Sequence, residues 1–440
     1  MLRYLITLII AAFLFFTTSA GPTEPADTLS GTFNLMTMGV DGTPGGRGQS
    51  DADKKDKTMY IAMVITLSNY AIVHVQEDFN YHETLYQYSN YRYRTETSGI
   101  FPSGSGLNTL SKYNWTDFKR VKWDLCSKGC LGQQGFTFMR VQIDRGVYID
   151  MINLDTNAGA ESSNQVARRS NIKQVSNFIN TNSVGNAVIV FGNTNSLYTS
   201  SQDNIRLFNT ENQLIDAWVQ SVGGEVPTAG TKPLICPKGI PASTNCEVID
   251  KVLYRGSPLI NLNSLRFIYD TSRFLSPEGK LLTERNPVRV EFAWNLRAGI
   301  QQSDLYGGPY GTWFNDLPQI PSSPRVSSIT IRGAARLDGI SINLISGQNF
   351  THGGSGGAPS QLILSPEEYI VSVEVCWGQR NGHTRNFYAR ATTNKNHYVE
   401  AGTSTKDCMV ATAPKGYGVV GTYGQDGNEM DQLGFIYIQQ

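Results

Sequence analysis

Between Gly31 and about Arg297, short runs of alternating hydrophobic and polar residues are separated by stretches with a helical period. Alternation with a period of two residues is typical of a β-strand with one face buried. It predicts strands at Thr32–Met36, Ala71–Gln76, Val147–Leu154, Ala187–Phe191 and Val288–Trp294. The clearest helical period covers Gln165–Asn180. Strands that alternate with helices predict a layered α/β or α+β domain.

After a polar connector over 298–305 the pattern changes. From Tyr306 to Gln440 the chain shows short alternating runs between glycine clusters and no good helical period. The predicted strands are Val326–Arg332, Gly339–Leu344, Gln361–Leu364, Tyr369–Val375, Gly418–Tyr423 and Gly434–Gln439. This spacing predicts an all-β domain of sandwich, barrel or prism type, with a domain boundary near residue 300.

The first residues predict export. Leu5–Phe16 is apolar apart from Thr7, follows Arg3 and precedes the small residues Thr18-Ser19-Ala20. This is the pattern of a secretory signal peptide, here 1–20, and 21–30 is expected to be a disordered lead. A membrane anchor is the alternative, but the run is shorter than the roughly 20 residues that a spanning helix needs. We therefore expect a secreted, extracellular protein with no transmembrane segment.

Composition adds two limits. The chain has 440 residues, which suggests two or three domains, and its 37 basic and 37 acidic residues give a net charge of zero. Proteins that bind nucleic acid by neutralising phosphates usually carry a basic excess. No nucleic-acid partner is therefore expected.

The cysteines fit an exported chain. There are six of them, and an even number in an oxidising compartment indicates disulfide bonds. Closeness along the chain favours the pairs Cys126–Cys130, Cys236–Cys246 and Cys376–Cys408. A zinc site is the rival interpretation, but no histidine lies near the first two pairs and the spacings do not match. Two sequons, Asn114-Trp115-Thr116 and Asn349-Phe350-Thr351, predict a glycoprotein.

The all-β region carries a series of motifs that resembles the jacalin-type lectin family over 306–440. They are Tyr306-Gly307-Gly308-Pro309-Tyr310-Gly311-Thr312-Trp313, Ile329-Thr330-Ile331-Arg332, Leu337-Asp338-Gly339-Ile340, His352-Gly353-Gly354-Ser355-Gly356-Gly357, Leu362-Ile363-Leu364 with Glu368-Tyr369-Ile370, Gly418-Val419-Val420-Gly421 and Asp431-Gln432-Leu433-Gly434. The resemblance implies an all-β prism of three Greek-key sheets, with sugar sites on loops at one end. Glycans or glycoproteins are then the expected partners, and self-association through this domain is a further family expectation.

A sugar site needs a carboxylate that accepts from neighbouring hydroxyls and backbone N–H groups that glycine brings close. The family's Gly-x-x-x-Asp loop matches Gly427-Asn428-Glu429-Met430-Asp431, and its partner glycines match Gly307-Gly308. Asp431 would take the hydroxyl pair, with no cofactor required. This loop lacks the family's aromatic residue, so Tyr306, Tyr310 or Trp313 stacks on the sugar, or binding is weak. The alternative is a purely structural role, in which these glycines only form tight turns.

Some jacalin-type relatives have a second site. Here it would use Asp338 with the paired glycines Gly356-Gly357. The position that should be glycine in Gly-x-x-x-Asp is Ala334, which argues against this second site.

The first region resembles the endonuclease/exonuclease/phosphatase superfamily, which includes deoxyribonuclease-like nucleases and secreted sphingomyelinases. The matching segments, within 31–297, are Phe33-Asn34-Leu35, Val73–Phe79, Gly106–Leu110, Gly135–Phe138, Asn153–Gly159, Gly192–Asn195, Asp250–Arg255 and Leu282–Val288. The resemblance implies an α/β four-layer sandwich.

Active members of this superfamily hold Mg²⁺ on a glutamate and activate water with an Asp-His pair. Positions matching Asn34, Glu77, Asn195 and Asp250 are retained, so Glu77, Asn34 and Asp250 are the candidate metal ligands. The altered positions are Asp155 in place of histidine, Asn157 and Asn193 in place of aspartate, Glu284 in place of aspartate and Arg285 in place of the general-base histidine.

These changes predict loss of hydrolysis. Arginine stays protonated and cannot accept a proton from water, and Asp155 would repel a phosphate. We therefore expect a secreted lectin that carries an inactive phosphodiesterase-like domain, a pseudoenzyme. The alternative is a lectin-targeted, Mg²⁺-dependent phosphodiesterase, sphingomyelinase- or nuclease-like, with an atypical active site. A structural role without ligand binding is the third hypothesis.

Two points stay open at this level. His82 either lines the cleft as a catalytic residue or is an ordinary loop histidine, whereas the pattern around His74 favours the core. Glu77 and Asp250 either bind Mg²⁺ weakly or serve only as hydrogen-bonding groups.

Overall fold

The computed structural model describes residues 29–45, 49–130 and 132–440. The predicted signal peptide and nearly all of the predicted lead lie outside these ranges. Within them, no helix is both long and apolar enough to cross a membrane.

The first part of the chain, as far as it is described, forms two sheets of six strands each. Its strands are β1 (Ser30–Gly39), β2 (Ile72–Gln76), β3 (Tyr93–Arg94), β4 (Asn108–Ser111), β5 (Trp115–Lys122), β6 (Gly135–Asp144), β7 (Val147–Leu154), β8 (Ala187–Asn193), β9 (Ile215–Asp216), β10 (Asp250–Arg255), β11 (Ile260–Tyr269) and β12 (Val288–Leu296). One sheet has the order β11-β12-β1-β2-β4-β3 and the other β5-β6-β7-β8-β10-β9.

The helices of this part are α1 (Asp51–Ser68), α2 (His82–Gln87), α3 (Ser162–Asn182), α4 (Leu207–Thr210) and α5 (Ala217–Ser221), with a 3-10 turn at Thr271–Arg273. Helix α1 was not among the predicted elements. Ser50 and Asp53 begin it with reciprocal side-chain to backbone hydrogen bonds, a capping box. Charged residues crowd its first turns, which hides the helical period in the sequence.

The two sheets pack against each other through apolar and aromatic contacts. The ring of Phe292 on β12 lies 5.0 Å from that of Tyr254 on β10, and the rings of His74 and Phe191 stack at 3.5 Å. Successive residues of β1 face opposite ways, as a strand requires. Leu35 joins the core between the sheets, whereas Met36 joins a separate cluster with residues of α1. The buried side chains of α3 pack in the core that includes the second sheet.

The last third of the described chain is all-β apart from a 3-10 turn at Leu317–Gln319, as predicted. Its strands are β13 (Ile300–Gln302), β14 (Tyr306–Gly307), β15 (Thr312–Asn315), β16 (Val326–Gly333), β17 (Leu337–Leu344), β18 (Asn349–Gly353), β19 (Ala358–Ile363), β20 (Ile370–Arg380), β21 (His383–Thr393), β22 (Tyr398–Gly402), β23 (Asp407–Thr412), β24 (Tyr417–Asp426) and β25 (Met430–Gln439). They form three sheets with the orders β13-β25-β24-β15, with β14 also on β25, β18-β17-β16-β19 and β22-β21-β20-β23.

The connector predicted over 298–305 includes strand β13. Its residues pair with the last strand of the chain, from Ile300 opposite Ile438 to Gln302 opposite Ile436. The first and last segments of the all-β part therefore share one sheet.

A buried arginine joins the two parts of the chain. Arg140 on β6 is fully buried and donates to Asp150 Oδ1 at 2.8 Å and to Asp117 Oδ2 at 3.3 Å. Its guanidinium carbon lies 3.4 Å from the ring centre of Trp313 in the all-β part. The Trp313 indole N–H donates to the Val184 carbonyl at 3.0 Å. The contact between the domains is thus built around a cation–π pair with its polar groups satisfied.

All six cysteines form disulfide bonds in the described structure, with the pairing that closeness along the chain predicted. The bonds are Cys126–Cys130, Cys236–Cys246 and Cys376–Cys408.

His74 should make stability depend on pH. Burial lowers its pKa from 6.5 to about 3, against a hydrogen bond with the Phe191 carbonyl. Below pH 6.5 the unfolded chain takes up this proton and the folded chain does not, so stability falls as the pH drops towards 3. At pH 4.5 the loss attributable to His74 should be on the order of 2–3 kcal/mol.

Urea unfolding at pH 7 and pH 4.5 checks this. His74→Phe keeps an aromatic ring beside Phe191 and removes the titrating group, so its free energy of unfolding should fall less between the two pH values. An equal fall in both proteins would contradict the assignment.

Candidate functional site

Asp431 lies at a β-bulge in the hairpin of β24 and β25. Gln425 pairs with Gln432 and Asp426 with Met430, so Asp431 is the extra residue. The predicted partner glycines meet it: Gly308 N–H donates to the Asp431 carbonyl at 2.9 Å.

Glycine is required on the opposing loop for steric reasons. Gly307 has φ of 104°, and a Cβ there would collide with the Asp431 carbonyl oxygen. A Cβ on Gly311 would lie 2.6 Å from Asp431 Oδ2. The missing side chains therefore let the loop close onto the carboxylate.

The hairpin of β16 and β17 repeats this arrangement. Asp338 is the extra residue between the pairs Gly333 with Leu337 and Arg332 with Gly339. Gly354 N–H donates to the Asp338 carbonyl at 2.7 Å, as Gly308 does to Asp431. The predicted pair Gly356-Gly357 lies against the Asp338 carboxylate, where a Cβ on Gly357 would come within 2.8 Å of Oδ2. The glycines equivalent to 307 and 308 are thus 353 and 354, a correction to the prediction.

The third hairpin, of β20 and β21, has no carboxylate at this place. Phe387 is the extra residue, and Thr403 N–H donates to its carbonyl at 2.9 Å. The all-β domain therefore repeats one unit three times, and an aspartate occupies the bulge in two of the three.

Arg385, which no sequence motif indicated, contacts the carboxylate that was predicted to bind sugar. Arg385 Nη1 donates to Asp431 Oδ1, and its Nε lies 3.1 Å from Glu429 Oε1. Glu429 Oε2 contacts Arg336 Nε and lies 3.7 Å from Arg380 Nη1. Burial raises the pKa of Asp431, and Arg385 opposes this shift.

The three-fold repeat of the hairpins is the signal in the sequence that points to Arg336 and Arg385. Glu429, Arg336 and Arg385 each stand two residues before the bulge residue of their own hairpin. Equivalent positions in a three-fold repeat meet at the same end, so their charges are brought together.

The remaining predicted loop residues differ in what they can contact. Met430 is fully buried, so its side chain packs in the core and only its backbone belongs to the predicted loop. Asn428 packs against Gly354 through its backbone, which joins the loop of the first aspartate to that of the second. Nothing lies within 4 Å of a Cβ built on Gly427.

Of the three predicted stacking residues, Tyr310 is exposed beside Asp431. Its ring lies 4.3 Å from that of His383 and 5.8 Å from the guanidinium carbon of Arg385. Trp313 is buried at the domain contact, and Tyr306 stacks on Trp377 at 5.8 Å. Tyr310 is therefore the aromatic side chain placed to meet a sugar.

In the first domain, Arg285 stands among the carboxylates of the phosphodiesterase-like cleft. Its Nη2 lies 3.0 Å from Glu77 Oε1 and its Nε 3.8 Å from Asp250 Oδ2. Gly39 leaves room for it, because a Cβ there would collide with the guanidinium. Although burial opposes it, the net effect of Asp250, Glu77 and Asp155 is to raise the Arg285 pKa.

Asp155 lies beside the same cluster. Asn193 Nδ2 donates to its Oδ1 at 2.8 Å and Asn195 Nδ2 at 3.3 Å. Burial raises the pKa of Asp155 to about 7; Arg285 opposes this shift and the neighbouring carboxylates add to it. The altered positions 155, 193 and 285 are thus brought together, as the family pattern implies.

This donor set does not fit a divalent cation. Mg²⁺ needs open oxygen ligands in near-octahedral geometry. Here the Glu77 and Asp250 carboxylates face a guanidinium that already supplies the positive charge, so the structure gives Mg²⁺ no place while Arg285 is present.

Asn34 lies too far from Glu77 to belong to the predicted metal site. It lies five residues before Gly39 on β1, which is roughly 16 Å at about 3.3 Å per residue. Its Oδ1 accepts from Ala71 N–H at 2.6 Å, at the other end of the strand. The residue that pairs next to Glu77 is Gly39, opposite Gln76.

The other predicted cleft residues have local partners. Asn157 Oδ1 accepts from Ser127 N–H at 3.1 Å, and its Nδ2 donates to Asn164. His82 Nδ1 lies 2.7 Å from Asp78 Oδ2 in a largely buried position. His74 is in the core, as its pattern indicated.

A cavity of about 220 Å³ opens beside this cluster. Glu284 and Arg285 line it together with Asp250, and the disulfide loop at Cys236 covers part of it. Its remaining walls are mostly apolar, including Leu197, Val248 and Ile249.

Comparisons with known proteins agree with both domains. The family model described as "Endonuclease/Exonuclease/phosphatase family 2" matches residues 48–219, and that described as "Jacalin-like lectin domain" matches 303–436. The first match includes Glu77, Asp155 and Asn193 but ends before Asp250 and Arg285.

A sphingomyelinase of Mycobacterium tuberculosis is 32% identical over 276 residues, covering 61% of this chain and 54% of the relative. The chain thus spans about half the length of the curated relatives it matches first. Among solved structures, a mannose-binding jacalin-related lectin of Ananas comosus is 22% identical over 32% of this chain and all of its own, with a TM-score of 0.29. The beta toxin of Staphylococcus aureus is 13% identical over 59% of this chain and 99% of its own, with a TM-score of 0.40.

Removing Arg285 should destabilise the fold. Arg285→Gln leaves the Glu77 and Asp250 carboxylates without their cation, and should lower the free energy of unfolding at pH 7 by about 2–3 kcal/mol. Arg273→Gln is the matched control, since that side chain is half exposed and lies 3.5 Å from Asp270. Urea unfolding of both variants measures the difference, and equal stabilities would contradict this role.

Proposed function

Because the chain joins an endonuclease/exonuclease/phosphatase-family domain to a jacalin-like lectin domain, we propose that it is a secreted glycan-binding lectin whose phosphodiesterase-like cleft no longer hydrolyses a substrate. The sugar site is the loop of Asp431 with Gly307, Gly308 and Gly311. The observation that carries this proposal is the bulge at Asp431, where the glycines at 307, 308 and 311 let the opposing loop close onto the aspartate.

Asp338 supports a second site of the same kind. Its bulge and its glycines repeat those of Asp431, so the departure at Ala334 matters less than the sequence suggested. The Arg332 guanidinium donates to the carbonyls of Ser355 and Gly357, which supports the glycine loop over Asp338.

Loss of hydrolysis rests on Arg285. A general base must accept a proton from water, and a guanidinium between two carboxylates cannot. The same side chain fills the place where the Glu77 carboxylate would otherwise meet a cation. In this proposal Glu77 and Asp250 are retained as partners of Arg285.

The alternative is a lectin-targeted, Mg²⁺-dependent phosphodiesterase with an atypical site. It is favoured by the similarity to proteins named sphingomyelinase and by the cavity beside Asp250.

Export is supported by the predicted signal peptide and the three disulfides of the described chain. Self-association remains a prediction.

Sugar binding should depend on Asp431. Asp431→Ala removes the buried acceptor and should weaken binding on a glycan array by roughly tenfold or more. Adding Asp338→Ala should remove what remains. Asp407→Ala, on the exposed strand β23, is the control and should bind like the wild type. Unchanged binding by the double variant would refute the site.

The cleft should be inactive. The full secreted protein should show no Mg²⁺-stimulated hydrolysis of sphingomyelin, DNA or bis-nitrophenyl phosphate. Arg285 cannot accept a proton from water, and it lies where a cation would otherwise meet Glu77. Turnover that Glu77→Ala abolishes would instead establish the alternative. A variant with Asp155→His, Asn193→Asp, Glu284→Asp and Arg285→His should gain measurable activity.

A further inference from the structure

At the Asp431 end, three arginines lie against carboxylates that are less exposed than they are, whereas Asp426 is about as exposed as Arg385. The side chains of Asp431, Asp338 and Glu429 are 5%, 9% and 15% exposed. Those of Arg385, Arg336 and Arg380 are 18%, 26% and 43% exposed. With Asp426 counted, these are three positive and four negative charges, and the most exposed of them is the Arg380 guanidinium.

Part of the acceptor capacity of Asp431 is already used. Arg385 occupies Oδ1, and Oδ2 faces Gly311 across a gap that would not hold a Cβ. An ionised carboxylate offers about four lone-pair sites on its two oxygens, and Arg385 takes one of those on Oδ1. The Asp431 carboxylate can accept from a ligand only at its remaining lone pairs, which weakens the recognition of a neutral pair of hydroxyls.

Donors are in excess at the same place. Arginine has five N–H groups, and the contacts of Arg385 with Asp431 and Glu429 use two of them. Exposed His383 lies beside the Tyr310 ring, which completes a surface of an aromatic face and nitrogen donors around Arg385.

We propose that the Asp431 site selects anionic sugars, with Arg385 as the residue that determines this specificity. A carboxylate or sulfate on the sugar accepts from the free N–H groups of Arg385, while the ring packs on Tyr310 and its hydroxyls contact the glycine loop. Planar guanidinium groups suit such acceptors, and charge-assisted hydrogen bonds are stronger than neutral ones. This inference rests on the proposed function and specifies its ligand.

An array of paired glycans tests the inference with the full secreted protein. Each pair shares its linkage and differs in one group: terminal glucose against glucuronic acid, and terminal galactose against 6-sulfogalactose. We expect the charged member to bind roughly tenfold more tightly in at least one pair. The pair that responds separates carboxylate from sulfate recognition. The preference should shrink as NaCl is raised, because partly exposed charges are screened.

Arg385→Gln removes the charge and keeps an amide donor, so the charged and neutral members should then bind within about twofold of each other. Arg390→Gln is the matched control on the same strand, where the arginine is 41% exposed and 3.8 Å from Glu400, and it should keep the wild-type preference.

The outcomes separate the two claims. If neutral glycans bind as tightly as their charged partners, or if the preference survives Arg385→Gln, the inference is wrong while the proposed function stands. If no neutral or anionic glycan binds the wild type, both are wrong. If Asp431→Ala abolishes binding but the Arg385→Gln variant keeps the wild-type preference for charged glycans, Asp431 belongs to the site and Arg385 does not select the ligand.

Discussion

A fully buried guanidinium is costly unless its charge and donors are paired, and all three nitrogens of Arg140 donate to acceptors at the contact between the domains. Its partner Asp117 also accepts from Gln425 Nε2 at 2.7 Å, and Gln425 Oε1 accepts from Gly311 N–H at 3.1 Å. Gly311 in turn packs against the Asp431 carboxylate. Hydrogen bonds therefore run from Arg140 through Asp117 and Gln425 to Gly311, which packs beside the carboxylate of the proposed sugar site.

Arginine decides the chemistry at both candidate sites. In the cleft of the first domain, Arg285 places a permanent charge against the Glu77 and Asp250 carboxylates. At the Asp431 loop, Arg385 takes an oxygen of the carboxylate that we propose as part of the sugar site. Under the two proposals above, each arginine changes which ligands its site accepts.

The sequence was sufficient where local patterns decide structure. The alternation over Val147–Leu154 predicted β7 to the residue, and closeness along the chain predicted the disulfide pairs. Sequence patterns were not sufficient where the pairing of strands distant in sequence decides which residues meet. Asn34 matched a motif, yet the pairing of β1 with β2 puts Gly39 beside Glu77. Arg385 carries no signal within its own segment, since its partners are 44 and 46 residues away, and only the repeat of the three hairpins brings them together.

The repeat of Asp431 and Asp338 has a consequence for binding strength. Both bulges lie at one end of a single rigid domain, and Asn428 of one loop touches Gly354 of the other. Under the proposed function, a branched glycan that docks one arm holds its second arm near the neighbouring aspartate at an effective concentration in the millimolar range. Two individually weak contacts then act as one durable attachment, so branching of the glycan can matter as much as the identity of its terminal sugar.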